Sequence, residues 1–331
     1  MRYKKNYLKY VAIVLVVLFF ISAFFMLLEL WERRQGRAPE STFEDGIIKY
    51  QGKKYAYKDN LETYLVIGLD RFDDSPTADS HESGVQADFI LLIVLDNDTK
   101  QSTAIQINRD TMTKVNYLSV GGTTVVDSYI RQIALSYNYA NDDNDKIRCR
   151  NTKDSVEYLL KNINIDHYIS VTLDSVAASC DLVGGVEVTI LDDFTSIDET
   201  MVKGEKVTLN GQQALTYVRT RKGLEDSTNI ARMARQQQYM TVLYHKILAC
   251  MDNDETFALK MLDTIGEYVV YDSSNFRMQK IAEKLDEYEF MGIRQIEGES
   301  KLGEEFMEFY ADEDSIWEIV IELFYTPKDN K

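Results

Sequence analysis

The stretch Asp88–Leu95, DFILLIVL, decides the fold: seven of its eight residues are apolar, and they do not alternate with polar ones. A helix face would show apolar positions at steps of three and four, and a half-exposed strand would alternate. A short unbroken run followed by Asp96-Asn97-Asp98-Thr99-Lys100, which is turn chemistry, is a strand buried on both faces. Such a strand needs cover above and below.

Working outward, the runs on either side have the same character. Thr63–Leu69 (TYLVIGL) is apolar and β-prone and ends at Gly68-Leu69-Asp70, while Ser102–Ile107 (STAIQI) delivers Asn108-Arg109-Asp110 at its end. Arg71–Gly84 is polar, with Pro76, and reads as a loop at a strand end. A short extended segment precedes these runs around Ile47–Tyr57. Helical spacing is expected over Asp127–Tyr139 and Asn151–Ile163, a strand over His167–Thr172, a helix capped by Asp174 over Asp174–Val183, and a strand over Val186–Ile190. Asn210-Gly211 permits a hairpin turn, but Asn210 with Gln213 three residues on is a capping box, which selects a helix. A long apolar stripe follows from Asn229 to Leu248. The fold class expected is α/β, a central mixed sheet sandwiched by helices (α/β/α).

The N-terminus predicts location. Arg2, Lys4, Lys5 and Lys9 precede Val11–Leu28, whose one polar member is Ser22. At 1.5 Å per residue this run is long enough to cross a hydrocarbon layer of roughly 30 Å. No small-x-small cleavage site follows, so a retained transmembrane helix over residues 11–31 is expected. Residues 1–10 would be a cytoplasmic tail and 32–60 an extracellular linker and lead-in. A folded domain over 61–250 would lie outside the cell membrane, with an acidic helical extension over 251–331 (patterns at Phe257–Tyr268, Asn275–Tyr288 and Ser315–Phe324).

With 331 residues, 45% hydrophobic, the chain can bury a sizeable core. Its net charge of −17 and pI near 4.7 argue against nucleic acid as a partner, which needs a broad basic surface. Cys149, Cys180 and Cys250 show no zinc spacing. An exported location permits a Cys149–Cys180 disulfide; buried free thiols are the other reading.

Against that acidic background one stretch is basic. Tyr217–Gln238, YVRTRKGLEDSTNIARMARQQQ, gathers Arg219, Arg221, Lys222, Arg232 and Arg235 against Glu225 and Asp226. In a helix, Arg232, Arg235 and Gln236 at i, i+3 and i+4 share a face, near an N-terminus that attracts anions. Guanidinium forks suit phosphate. Asp88 and Asp110 stand at the ends of strands, and a carboxylate pair beside phosphate-seeking arginines is what Mg²⁺ uses. Read singly, each acid is an ordinary turn or strand residue, and the arginines an ion-paired helix surface.

Taken in order, G-L-D (68–70), A-D-F-I-L-L (87–92), N-R-D-T (108–111), D-L-V-G-G-V-E-V (181–188), L-N-G-Q-Q-A-L-T-Y-V-R-T-R (209–221) and R-M-A-R-Q-Q (232–237) resemble the LytR-CpsA-Psr family from about Thr63 to Leu248. The resemblance implies a membrane-anchored extracellular α/β domain that binds polyprenyl-pyrophosphate lipids. It implies transfer of a lipid-linked glycopolymer, of teichoic acid or capsular polysaccharide type, onto peptidoglycan as a phosphodiester. It further implies that Asp88 and Asp110 hold Mg²⁺ (or Mn²⁺), and that Asp88, Arg109 and Asp110 are catalytic. Arg109, Arg219, Arg221, Arg232 and Arg235 would bind the pyrophosphate, with Gln236 orienting it. The chain departs from the family pattern at Gln86 (usually basic), Asn108 (usually proline), Arg131 or Gln132 (commonly lysine) and Asn229 (usually aspartate), the last leaving Asp226 as a stand-in. A non-catalytic sensor of lipid-linked precursors and a lipid pyrophosphatase are the alternative functions.

Overall fold

The structure is a computed structural model that describes residues 46–70, 85–272 and 287–328. The expected membrane run Val11–Leu28, the loop at 71–84 and most of the helix expected over Asn275–Tyr288 lie outside the described residues. Among the described residues no helix is long and apolar enough to cross a membrane.

The chain divides into two compact units at Ala56/Tyr57, with residues from Lys328 grouped with the first. In the first, β1 (Ile47–Tyr50) and β2 (Lys53–Tyr57) pair antiparallel about Gln51-Gly52. Both turn residues have positive φ, 47° and 78°, the geometry that matches strand twist.

The second unit runs β3 (Leu61–Leu69), β4 (Ala87–Asp96), β5 (Gln101–Ile107), β6 (Met112–Leu118), β7 (Val125–Gln132), α1 (Asp145–Leu159), β8 (His167–Thr172), α2 (Asp174–Leu182), β9 (Val186–Thr189) and β10 (Lys206–Leu209). It continues through α3 (Gly211–Arg219), α4 (Asn229–Asn253), α5 (Phe257–Ile265), β11 (Val269–Tyr271), β12 (Glu289–Gln295), β13 (Gly298–Leu302), β14 (Met307–Ala311), α6 (Glu313–Phe324) and β15 (Tyr325–Pro327). The fold is mixed α/β. Six strands form the central sheet in the order β11-β8-β3-β4-β5-β12, with β3–β8 and β5–β12 parallel and the other pairs antiparallel.

Apolar burial explains the sheet. Leu65, Ile67, Ile90, Leu92 and Ile105 are fully buried, each such side chain contributing about 1.5–3 kcal/mol relative to exposure. Gly68 is required by the pairing, because a Cβ there would come within 2.7 Å of Phe89 Cβ, beside the register shift at Gly68/Leu69. Cys149 and Cys180 are buried free thiols and Cys250 is a free thiol, partly buried. Helix α3 opens with the expected capping box: Gln213 N donates to Asn210 Oδ1 at 2.9 Å and Asn210 N to Gln213 Oε1 at 3.2 Å.

Three expectations are corrected. The first half of the helix expected over Asp127–Tyr139 is strand β7, paired antiparallel with β6, followed by single 3-10 turns at Ile133–Ser136 and Asn138–Ala140. Val125, Val126, Tyr129 and Ile130 are β-prone, and Gly121-Gly122, both at positive φ, turns the chain back onto β6. The region after 250 is not purely helical: α5 and α6 form, but β12 adds an edge strand beside β5 and β13–β14 make a hairpin. Asp174 lies in the first turn of α2 rather than at its cap, which is Leu173 without a side-chain bond.

Candidate functional site

Antiparallel pairing concentrates polar residues at one end of the sheet. Leu69 opposes Ala87 and Ile107 opposes Ile90, so the exit of β3, the entry of β4 and the exit of β5 are neighbours. Asp70, Asp88, Arg109 and Asp110 therefore arrive together although they are spread over some forty residues of chain.

The turn after β5 is built by Asn108. Its Oδ1 accepts from Asp110 N at 2.9 Å, and its carbonyl accepts from Thr111 N at 3.0 Å and Thr111 Oγ1 at 2.6 Å. Arg109 is thereby aimed back at β4, where its guanidinium donates to Asp88 Oδ1 and Gln86 Oε1. Its Nε lies 3.5 Å from Asp110 Oδ1 but is misaligned, leaving that buried N–H without a hydrogen-bond partner. Asp110 accepts from Gln132 Nε2 at 3.2 Å. Burial pushes the Asp110 carboxyl up from the usual carboxylate range, against the pull of Arg109, Arg221 and Arg232.

The basic stretch supplies the other wall. Arg219 ends α3 and its Nε pairs with Asp70 Oδ2 at 3.1 Å. Thr220 turns extended and brings Arg221 to the same cavity as Arg109 and Asp110. Arg232, in the first turns of α4, is buried: it donates to Asn229 Oδ1 at 2.5 Å and to Asp88 O at 3.4 Å, and lies 3.9 Å from Asp88 Oδ1. Burial first, and then the charge of Arg221, bring its pKa down to about 10, so it stays charged at neutral pH. Arg232 Nε also has no hydrogen-bond partner. Four guanidiniums thus lie among three carboxylates, and two of their buried N–H groups, together with Asp70 Oδ1, have no hydrogen-bond partner.

Arg235 and Gln236, expected to bind pyrophosphate, are engaged by other partners in the structure. Arg235 is fully buried; it pairs with Asp192, its guanidinium lies 5.4 Å above the Phe194 ring, and it donates to Tyr217 O at 3.0 Å and to Thr220 O. Gln236 Nε2 donates to Val218 O at 3.1 Å, and its Oε1 accepts from Gln106 Nε2 at 3.2 Å. Gln106 in turn accepts from Gln295 on β12 at 3.0 Å. A helix C-terminus leaves carbonyls without partners, and a cation there also complements the dipole. Arg235 and Gln236 do this for α3 and so fix the backbone that carries Arg219 and Arg221.

The departures from the family pattern fall in contact. Asn229 Nδ2 donates to Asn108 Oδ1 at 2.8 Å, and Gln86 and Gln132 engage Arg109 and Asp110. Asp226 does not stand in for an aspartate at 229: it is exposed and accepts from Thr228 N at 2.9 Å. Sequence reasoning assigned no role to Asp70, although G-L-D at a strand end signalled it, or to Gln132. The hairpin β13–β14, which completes the cavity, carried no motif.

The cavity measures about 1010 Å³. Asp88 and Asp110 are oxygen donors of the kind Mg²⁺ uses, with phosphate and water completing the shell. Among the described residues no group of three or more His, Cys, Asp or Glu could hold a metal ion.

Residues 36–323 match the LytR_cpsA_psr family, a wider span than the motifs alone. The chain is 26% identical over 248 residues, 74% of its length and 72% of the relative's, to the polyisoprenyl-teichoic acid–peptidoglycan teichoic acid transferase TagU of Bacillus licheniformis. It is likewise 26% identical over 249 residues, 74% of the chain and 73% of the relative, to the TagU of Enterococcus faecalis. The crystal structure of B. subtilis TagV has the same fold, with a TM-score of 0.57 at 21% identity, covering 80% of this chain and 96% of that one. The chain belongs to the LytR-CpsA-Psr family.

Proposed function

We propose that this protein transfers a glycopolymer from a polyprenyl-pyrophosphate carrier to peptidoglycan, making a phosphodiester. One observation carries the reading: Arg109, Arg221 and Arg232 converge on Asp88 and Asp110, with two buried guanidinium N–H groups left unbonded. The names of the relatives support it, since they are teichoic acid–peptidoglycan transferases.

The chemistry follows from charge. Phosphoryl transfer through a loose transition state is catalysed mainly by positioning and neutralisation, so no nucleophilic side chain is required. A hydroxyl of the wall glycan attacks the phosphorus nearest the carried glycan. The bond to the bridging oxygen breaks, polyprenyl phosphate leaves, and the hydroxyl proton passes to water in the open cavity. Arg109, Arg221 and Arg232 hold the phosphate oxygens, and Arg219, exposed and paired with Asp70, adds positive charge at the rim. Asp88 and Asp110 would hold Mg²⁺, which supplies neutralisation of the pyrophosphate charge.

The run Val11–Leu28 supports a single membrane-spanning helix with the N-terminus inside and the catalytic domain at the outer face, where carrier lipid and wall meet. Incubating the full-length protein with a lipid-linked glycan, Mg²⁺ and peptidoglycan oligomers tests the reading. Coupled product is expected.

A further inference from the structure

The cavity is far larger than a pyrophosphate, and its second wall comes from a part of the chain with no motif. That wall is the tip of hairpin β13–β14, where Glu304, Glu305, Phe306 and Glu308 face the same space as Arg109 and Arg221. The hairpin is tied directly to the phosphate end. Phe309 N donates to Asp110 O at 2.8 Å, Thr111 bridges to Phe309, and Gln132 Nε2, already bonded to Asp110, donates to Met307 O at 2.7 Å.

Two properties of the tip matter. Phe306 is 60% exposed although it is a large apolar ring, which is the form of a platform for the apolar face of a sugar. The charges that the hairpin tip itself carries are negative: among the described residues no ion pair joins Glu304 or Glu305, and the hairpin's cation, Lys301, is paired with Glu299 at 2.8 Å, while Arg131 on β7 also lines the cavity. One cavity therefore has a basic end and an acidic, aromatic lip.

We propose that this hairpin tip is the saccharide subsite and selects what lies next to the reactive phosphate. Resting on the transferase reading above, the inference is that the first sugars on the donor are uncharged or amine-bearing. Phe306 stacks on a ring and the carboxylates accept from hydroxyl or ammonium groups. Phosphate-bearing units are repelled by Glu304 and Glu305 and remain outside the cavity.

The test uses the full-length protein in detergent micelles with Mg²⁺, peptidoglycan oligomers and two short-chain prenyl-pyrophosphate disaccharides. One donor is otherwise uncharged; the other carries a phosphomonoester on its distal sugar. The uncharged donor is expected to show at least a roughly tenfold higher kcat/KM, falling to about threefold or less in Glu304→Gln/Glu305→Gln and inverting in Glu304→Lys/Glu305→Lys. Phe306→Ala should raise KM for both donors about tenfold with kcat little changed and with thermal unfolding unmoved, because the ring is exposed. Equal kcat/KM for the two donors, or a ratio that neither charge variant shifts, would overturn the inference while leaving transfer intact. Failure of both donors to bind in calorimetry would overturn the transferase reading and this inference with it.

Discussion

Asn229 donates its side-chain N–H to Asn108 Oδ1 at 2.8 Å, joining two residues 121 positions apart that each replace a different residue of the family pattern. The arrangement has one polarity. Asn108 Oδ1 is also the acceptor for Asp110 N, so Asn229 must present its nitrogen to Asn108 and its oxygen to Arg232, which takes it at 2.5 Å. The aspartate usual in the family cannot fit here unchanged, because it has no donor to offer.

Asn229→Asp should therefore destabilise the protein even though it adds a negative charge beside Arg232. A buried acceptor facing another acceptor costs about 1–3 kcal/mol. Urea unfolding of the single variants and of Asn229→Asp/Asn108→Ala should show a smaller cost of Asn229→Asp once the Asn108 oxygen is gone. A stabilising Asn229→Asp would show that the pair is not coupled in this way.

The Arg235–Asp192 pair is structural and should behave so. Asp192→Ala leaves a fully buried guanidinium without its partner and should cost about 3–5 kcal/mol, read as a lower urea midpoint. Replacing both residues, as in Asp192→Leu/Arg235→Met, should recover much of that stability. Transfer should stay low in the double variant, because Tyr217 O and Thr220 O lose their donor and Arg219 and Arg221 are no longer held.

Much of the sheet was legible because DFILLIVL, TYLVIGL and STAIQI carry apolar burial in their composition, and the capping box at Asn210 fixed α3. The strand β7 was misread because residues that alternate around Asp127 and Arg131 also satisfy helical spacing over a short window; its pairing depends on the glycine turn at Gly121-Gly122. The structure brings Asp88, Arg109, Asp110, Arg221 and Arg232 together at one end of the sheet, with Arg219 beside Asp70, and engages Arg235 and Gln236 elsewhere. Spacing puts them on the same side of α4 as Arg232, but the open carbonyls at the end of α3 claim them, and that depends on how the two helices pack. The cavity wall at Phe306 is invisible in the sequence because hairpin β13–β14 reaches the site through bonds to its backbone, from Phe309 N to Asp110 O and from Gln132 Nε2 to Met307 O, which leave no side-chain motif in the hairpin.

Divalent metal should matter to the rate. Chelation with EDTA is expected to slow transfer from a lipid-pyrophosphate donor markedly, with recovery on adding back Mg²⁺. An indifferent rate would remove the metal role from Asp88 and Asp110.

Arg219 and Arg232 separate charge from folding. Arg219 is exposed, and its ion pair with Asp70 is worth at most about 1 kcal/mol, so Arg219→Ala should unfold like the parent while transfer falls. Arg232→Ala should lose roughly 10³-fold in transfer, the scale at which an arginine stabilises phosphoryl transfer.

The most direct measurement is product analysis with the full-length protein, a lipid-pyrophosphate-linked glycan, Mg²⁺ and peptidoglycan oligomers, run beside Arg232→Ala. Phosphodiester-coupled glycan–peptidoglycan from the parent and none from the variant is the expected result. Free phosphorylated glycan would identify a pyrophosphatase, and bound, unchanged lipid a sensor; either would contradict the transferase reading.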